Sequence, residues 1–463
     1  MQKENKMGVM PVGRLILTMS LPMMLSMLMQ ALYNVVDSIW VSRVAEEALS
    51  AVSLSFPMQN LMIGVATGTG VGINALMSRA LGEKSPERAN KVAANGLFLA
   101  LLSSLAFLVI GLCAVPAFFR FQKAVPGSAV WNYGIDYLTV VCCVSFGVFG
   151  QVTVERLMQS TGKTTLSMFT QLTGALINII LDPLLILGVG PFPRLEAKGA
   201  AVATVIGQIC AFAMGLYLNR RFNKEIHVSF RGFCPNGAII LDIYKIGVPS
   251  ILMVAIGSVM TYLLNRILMG FSETAAAVFG VYFKLQSFVF MPVFGMNNGV
   301  IPVIAYNYGA RNRKRMTQAV RVAMTMAVSI MAVGTALMWL FPETMLRMFD
   351  ASDYMMGIGV PALRTISLSF IPAGFCIAMG SVFQALGKSY FSMIVSFTRQ
   401  LVVLLPVAYL LSLSGDVTRV WWAFPIAEVF SLLTSAASYA YVYKKVISKV
   451  EDDPARSGLQ KAE

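Results

Sequence analysis

Apolar runs close to the length of a bilayer crossing recur along the whole chain, and they leave few folds open to it. Residues 99–114, 325–341 and 395–413 are three such runs, each near the ~20 residues an α-helix needs to cross hydrocarbon. Between them the chain has little with which to face water. Only 13% of its 463 residues are charged and 57% are hydrophobic, with a mean hydropathy of +0.71. A soluble chain of this size needs far more charge to cover its surface. The fold expected is an all-α integral membrane protein.

The net charge of +14 would suggest nucleic acid in a soluble protein, but here the basic residues alternate by loop. Arg79, Lys84, Arg88 and Lys91 fall in one set of loops, as do Arg220, Arg221 and Lys224, Arg311 to Arg315, and Lys444 with Lys445. The intervening loops hold few: Arg43, Arg120, Lys123, Arg194, Lys198, Arg347 and Arg419. That asymmetry is the positive-inside rule, and it places both termini in the cytoplasm with an even number of spans. The lipid bilayer is the expected partner and nucleic acid is not; a monomer in a bacterial inner (plasma) membrane is expected. The six cysteines mostly fall inside apolar runs without paired-loop spacing, so they read as packing residues. The basic start and first apolar run look like a signal peptide, but no A-x-A site closes the run, and Gln30, Asn34 and Asp37 continue it. It reads as an uncleaved first helix.

Loop charges and Gly/Pro clusters divide the chain into twelve helices. They are expected near 15–42, 49–80, 89–119, 131–160, 163–188, 198–222, 238–269, 275–309, 311–341, 358–386, 388–413 and 419–446. Five segments follow: a cytoplasmic N-terminal segment 1–14, an N-lobe 15–222, a cytoplasmic linker 223–237, a C-lobe 238–446 and a cytoplasmic tail 447–463. The halves are duplicated. A shift of 227 pairs Pro22 with Pro249, Phe56 with Phe283, Gln59 with Gln286, Gly68 with Gly295, and Gly72 with Gly299. Further on, a shift of 225 pairs Gln159, Gly162 and Lys163 with Gln384, Gly387 and Lys388. Such duplication marks secondary transporters, with the substrate between the two bundles.

Ionisable residues in hydrocarbon cost several kcal/mol, roughly 3 on the insertion scale, so each needs a reason. Four carboxylates lie within helices: Asp37, Asp182, Glu155 and Glu428. Asn178, four residues before Asp182, shares its helix face. Pro183, lacking an N–H, frees the carbonyl of Ile179. Two acids, an amide and a freed carbonyl are hard oxygen donors that suit sodium, or a carboxylate pair that carries a proton. The alternative is polar helix packing. Glu155 is expected to form a structural ion pair with Arg156. The roles of Glu428 and of the basic residues Arg266, Lys284, Arg364 and Arg399 stay open between snorkelling, pairing and cavity lining. The glycines Gly64, Gly68 and Gly72 point to close helix packing, and the 30 methionines and 29 phenylalanines would suit a deformable binding cavity or simply face lipid. The only histidine, His227, lies in the linker, and no nucleophile–base or metal-ligand cluster accompanies it, so the chain is not expected to be an enzyme.

These residues together resemble the multidrug and toxic compound extrusion (MATE) transporters, particularly their MepA-like bacterial branch, over about residues 12–446. The resemblance rests on Ser20-Leu21-Pro22, Tyr33-Asn34-Val35-Val36-Asp37, Gly68-Thr69-Gly70, Arg79-Ala80-Leu81-Gly82-Glu83 and Gln159-Ser160-Thr161-Gly162-Lys163. Asn178-Ile179-Ile180-Leu181-Asp182-Pro183 and Gly199-Ala200-Ala201-Val202-Ala203-Thr204 follow, then Phe283-Lys284-Leu285-Gln286-Ser287 and the run from Pro302 to Gly309. It implies two six-helix bundles forming a V, and drug efflux by alternating access, driven by protons or sodium moving inward. It also implies a first-lobe cation site at Asp37, Asn178, Asp182 and Thr204, with sodium as one possible occupant and no other cofactor. The substrate cavity is expected to involve Tyr33, Asn34, Gln59, Asn265, Phe283, Lys284 and Gln286. The substrates expected are small amphipathic, cationic organic compounds. Some family members add acids in the seventh and tenth helices. Here the corresponding stretches have none and Asn265 is the nearest polar candidate, so coupling is expected in the first lobe alone. A lipid-linked sugar flippase, which uses a related fold, is the alternative.

Overall fold

The computed structural model describes residues 5–228, 233–349 and 351–450. Residues 1–4 of the N-terminal segment, 229–232 of the linker and 451–463 of the tail lie outside them. Among the described residues the regular structure is all helical, without strands. Ten helices are long and apolar enough to cross a membrane, and twelve spans result if each of two bent pairs counts as one.

In the first half the spans are α1 (Val12–Ser42), α2 (Glu46–Gly82), α3 (Pro86–Cys113), α4 as the pair Ala129–Cys143 and Phe146–Ser160, α5 (Thr164–Leu187) and α6 (Glu196–Phe222). The second half has α7 (Gly237–Met269), α8 (Glu273–Gly309), α9 (Arg313–Leu340) and α10 as the pair Asp353–Ser367 and Phe370–Ala385. Then come α11, running from Ser389–Phe397 through Thr398–Leu404 to Leu405–Ser412, and α12 (Ala423–Lys445).

Three spans expected to be continuous are not. The helix expected at 89–119 stops at Cys113 and resumes as Val115–Phe121, because Pro116 has no N–H to offer the carbonyl of Leu112. The helices expected at 131–160 and 358–386 bend by 45° and 47°. At the second bend two carbonyls are drawn to hydroxyls: Thr335 Oγ1 donates to Ser367 O at 3.0 Å, and Ser369 Oγ to Ile366 O at 2.6 Å. Side-chain donors of this kind compete with the helix ladder. Within α11 the turn Thr398–Leu404 widens to a π-helix, with the Leu405 N–H reaching Gln400 O. Pro406, just beyond, cannot supply the α-type bond to Val402, and the wider turn accommodates the loss.

The described chain forms two compact units, each taking part of a helix from the other half. One unit comprises Leu25–Ile251; the other joins the chain up to Met24 to that from Leu252 onward. The boundaries fall inside α1 and α7 at positions related by the 227-residue repeat. Glycines explain the exchange. In the first unit, a Cβ on Gly68 would lie 2.5 Å from Ile251 Cγ1 and 2.9 Å from Gly247 O, and one on Gly72 would strike Ile243 O. In the second, a Cβ on Gly295 would lie 2.5 Å from Met23 O and one on Gly299 2.8 Å from Met19 O. The start of α7 therefore seats on α2, and the start of α1 on α8, through backbone contacts that only glycine permits. The short N-terminal helix Lys6–Val9 is held in the second unit: buried Arg315 donates through Nη2 to Met10 O at 2.6 Å and Met7 O at 3.3 Å.

Candidate functional site

In the unit Leu25–Ile251, α1, α5 and α6 carry the polar residues that hydrocarbon tolerates least. Asn178 and Asp182 sit one turn apart on α5, so their side chains meet. The Asn178 Nδ2 group donates to Asp182 Oδ1 at 3.3 Å and to Thr204 Oγ1 on α6 at 3.2 Å. The two helices can come this close because glycines face each other. A Cβ on Gly207 would stand 2.7 Å from Gly174 O, and one on Gly174 3.1 Å from Ala211 Cβ. Asp182 has no exposed surface and Asn178 almost none.

The hydrogen bonds do not use up the oxygens. Asp182 Oδ2, Asn178 Oδ1 and Asp37 Oδ1 are buried without a hydrogen-bond partner. Buried polar atoms are nearly always partnered, and these three are all acceptors once the acids are ionised. Asp182 stands close enough to Asp37 to feel its charge, and Tyr33 and Tyr137 stand in the field of both acids. Acids among hydroxyl and amide oxygens are the kind of donor set that suits a proton or a hard cation such as sodium. No group of three or more His, Cys, Asp or Glu fit for a transition metal occurs among the described residues.

Tyr137, on the first segment of α4, is a member of this cluster that sequence reasoning missed. Its Oη accepts a 2.8 Å hydrogen bond from Gln59 Nε2. Nothing in its sequence context distinguishes it from other membrane tyrosines; only its placement does.

The residues expected to line a substrate cavity fall in both units. Tyr33, Asn34 and Gln59 belong to the unit of Asp37, where Asn34 is exposed and Gln59 and Tyr33 are half-buried. Asn265, Phe283, Lys284 and Gln286 belong to the other. There Phe283 and Gln286 line a cavity of about 80 Å³ together with Arg399 and Glu428. Lys284 points elsewhere, with Nζ 5.9 Å from the Phe349 ring centre, and half-buried Asn265 is not part of that lining.

Glu155 and Arg156 feel each other's charge, and each is also held by neighbouring amides. The Glu155 carboxylate is held by amides, accepting from Gln151 Nε2 at 2.9 Å and Gln171 Nε2 at 2.8 Å, while Arg156 Nη1 donates to Gln159 Oε1 at 2.8 Å. Adjacent residues of a helix point 100° apart, and residues three or four apart meet instead. Of the open basic residues, Arg399 Nη1 lies 3.5 Å from Glu428 Oε2. Exposed Arg266 reaches the Tyr262 hydroxyl at 3.5 Å, and the Arg364 side chain is exposed.

A duplicated bundle of membrane helices with a buried acid cluster in one unit defines a polytopic carrier. The MatE family profile matches residues 22–184 and again 249–410, so its two copies begin at Pro22 and Pro249 with the offset read from the sequence. The chain belongs to the MatE family of multidrug and toxic compound extrusion transporters, which are carriers and not enzymes. It is 27% identical over 411 residues to the multidrug export protein MepA of Staphylococcus haemolyticus, covering 88% of this chain and 89% of that one. It is 25% identical over 452 residues to a protein of Shewanella oneidensis named FAD transporter, covering 95% and 96%. Among solved structures it is similar to a MATE transporter in a straight conformation, with a TM-score of 0.89 and 26% identity over 96% of this chain and 100% of that one. A MOP superfamily transporter of Pyrococcus furiosus, described as having a binding pocket of reversed polarity, gives a TM-score of 0.89 and 26% identity over 96% and 99%.

Proposed function

We propose that this protein exports amphipathic, cationic organic compounds across the bacterial plasma membrane in exchange for protons or sodium, working as a monomer. The coupling cation is held at Asp37, Asn178, Asp182 and Thr204. The observation that carries this reading is the set of three buried, partnerless oxygens on Asp37, Asn178 and Asp182.

With the site unfilled, two mutually repelling acids sit in a poorly solvated place, and a proton or sodium ion removes that repulsion. Cation binding then favours a conformation that binds substrate weakly and releases it outside. Substrate binding from inside favours cation release, by the reciprocity that linkage requires. Thr204 and Asn178 orient the carboxylate of Asp182 through the shared amide donor. The flippase alternative needs a cluster of free cations for phosphate, whereas Arg399 stands beside the Glu428 carboxylate, which repels a doubly charged phosphate, and Lys284 faces Phe349.

The test is efflux of a fluorescent organic cation from proteoliposomes, with a pH gradient or a sodium gradient imposed separately. Export driven by one gradient and lost in Asp37→Asn is expected. Gradient-driven export that survives in that variant would overturn the coupling role. Lack of transport under either gradient would direct the next assay to lipid-linked sugars and to flavin dinucleotide, the cargo named for the Shewanella relative.

A further inference from the structure

The second unit contains a charged, partly lined cavity that the export cycle above does not use. Its chemistry is unlike that of the acid cluster. Glu428 on α12 is 4% exposed, and its one ionic contact is the 3.5 Å approach of Arg399 Nη1. Charge-assisted N–H···O bonds normally close to about 2.7–2.9 Å. Glu428 Oε1 and Arg399 Nε are each buried without a hydrogen-bond partner. Ser431 and Cys376 also stand in hydrogen-bonding range of the carboxylate, and the Ser431 hydroxyl donates to Cys376 Sγ at 3.3 Å. A buried ion pair this loose does not repay its desolvation unless further partners complete it.

What would complete it is a ligand that brings both charges. Arg399 offers a cation and Glu428 an anion, and both residues line a cavity of about 80 Å³ whose apolar wall includes Tyr282, Phe283, Phe290 and Phe424. At roughly 30 Å³ per water, that space admits a small polar head but not a whole drug. Arg399 keeps 26% of its side-chain surface exposed and Phe283 38% of its own, so the head can enter while its apolar body lies along the aromatic edge. Arg399 and Gln400 are carried by the π-helical turn Thr398–Leu404, a distortion found mostly where a helix re-aims side chains for function. The helix pair is also telling. Arg399 and Glu428 lie on α11 and α12, which the repeat relates to α5 and α6, the bearers of Asp182 and Thr204. The second unit keeps a polar site on the corresponding helices, with a base and an acid in place of the acids.

We infer that the Arg399–Glu428 cavity is a subsite for the zwitterionic head of an amphipathic substrate, its carboxylate accepting from Arg399 and its ammonium donating to Glu428. The inference rests on the export reading for its physiological meaning, but its test needs no gradient. Three fluorescent probes share one aromatic body: Nε-dansyl-lysine carries a zwitterionic head, dansylcadaverine only the amine, and 6-(dansylamino)hexanoate only the carboxylate. Each is titrated by fluorescence into the purified full-length protein in detergent. The zwitterion is expected to bind the wild type at least tenfold tighter than either singly charged probe. Arg399→Met, which leaves Glu428 without its cation, should weaken Nε-dansyl-lysine at least tenfold while dansylcadaverine binds as well or better. Glu428→Gln should show the opposite preference, favouring the carboxylate probe. Should a single variant fail to fold, Arg399→Met/Glu428→Met removes both charges together and should bind all three probes alike. Equal affinities in the wild type, or parallel loss of all three probes in each variant, would overturn the subsite and leave a structural ion pair. Such a failure leaves the Asp37→Asn transport result untouched, and a failure of that result leaves this binding equilibrium untouched.

Discussion

Asp182→Asn separates what the buried carboxylate does for the fold from what it does for transport. Asp182 has no exposed surface; Oδ1 accepts one 3.3 Å hydrogen bond from Asn178, and Oδ2 accepts none. The amide has nearly the same volume and keeps the acceptor. It replaces the partnerless oxygen with an NH₂ that can donate to Asn178 Oδ1, which is itself partnerless. Gaining that bond stabilises by about 1 kcal/mol, and removing an ionisable group from hydrocarbon adds up to about 3 kcal/mol. The variant should therefore be at least as stable as the wild type. At roughly 2–4 °C per kcal/mol for units of this size, its Tm in detergent should be unchanged or higher. An amide neither takes up a proton nor lends charge to sodium, so gradient-driven efflux should fall at least about tenfold, equivalent to about 1.4 kcal/mol. Thermal unfolding by tryptophan fluorescence and efflux from proteoliposomes measure the two sides. A Tm several degrees lower would make Asp182 a structural anchor, and wild-type efflux at unchanged Tm would refute its place in coupling.

The glycine contacts and the N-terminal anchor give sharper structural tests. Gly72→Ala drives a methyl into the carbonyl of Ile243 and should cost roughly 1–3 kcal/mol as overpacking. Gly280→Ala meets nothing within 4 Å and should instead stabilise by about 0.5–1 kcal/mol through helix propensity. Equal Tm changes in the two variants would contradict the contacts described. Arg315→Met removes the hydrogen bonds to the Met7 and Met10 carbonyls, so limited trypsin digestion should cleave at Lys6 and Arg14 markedly faster. Unchanged cleavage would show that another contact holds the segment.

The spans were legible because partition between water and lipid acts on long averages, which a sequence displays directly. Their interruptions were not, except where a proline stood. The bend between Ser367 and Phe370 depends on Thr335, a residue of another helix, taking the carbonyl of Ser367, and no local pattern announces that. The unit boundaries were hidden for a related reason. Composition marks the linker, but contacts follow Gly68, Gly72, Gly295 and Gly299, which draw the starts of α1 and α7 across to the other half's helices. The candidate site shows the same division. Asp37, Asn178 and Asp182 stood out because charge in hydrocarbon is expensive. Thr204 costs little in a membrane helix and came only from the family resemblance; its tie to the site is a 3.2 Å hydrogen bond to Asn178.

Duplication also explains why Arg399 and Glu428 could not be recognised as a pair. The repeat predicts that a site in one half has a counterpart in the other, but the residues corresponding to Asp37, Asn178, Asp182 and Thr204 are Leu264, Val403, Val407 and Val429. Searching the second half for the first half's chemistry therefore finds only apolar side chains. What the two halves share is geometry: helix pairs held close enough that polar groups on them meet. Packing constrains both copies alike and preserves the glycines and bends at constant offsets. A charged side chain answers only to what it binds, so after duplication it was free to move by a turn or change sign. Glu428 stands next to the position that matches Thr204, and Arg399 lies one turn before the position that matches Asn178. On the proposed reading, two lobes of one fold present different polar groups to cation and substrate, so that the two need not compete for one site.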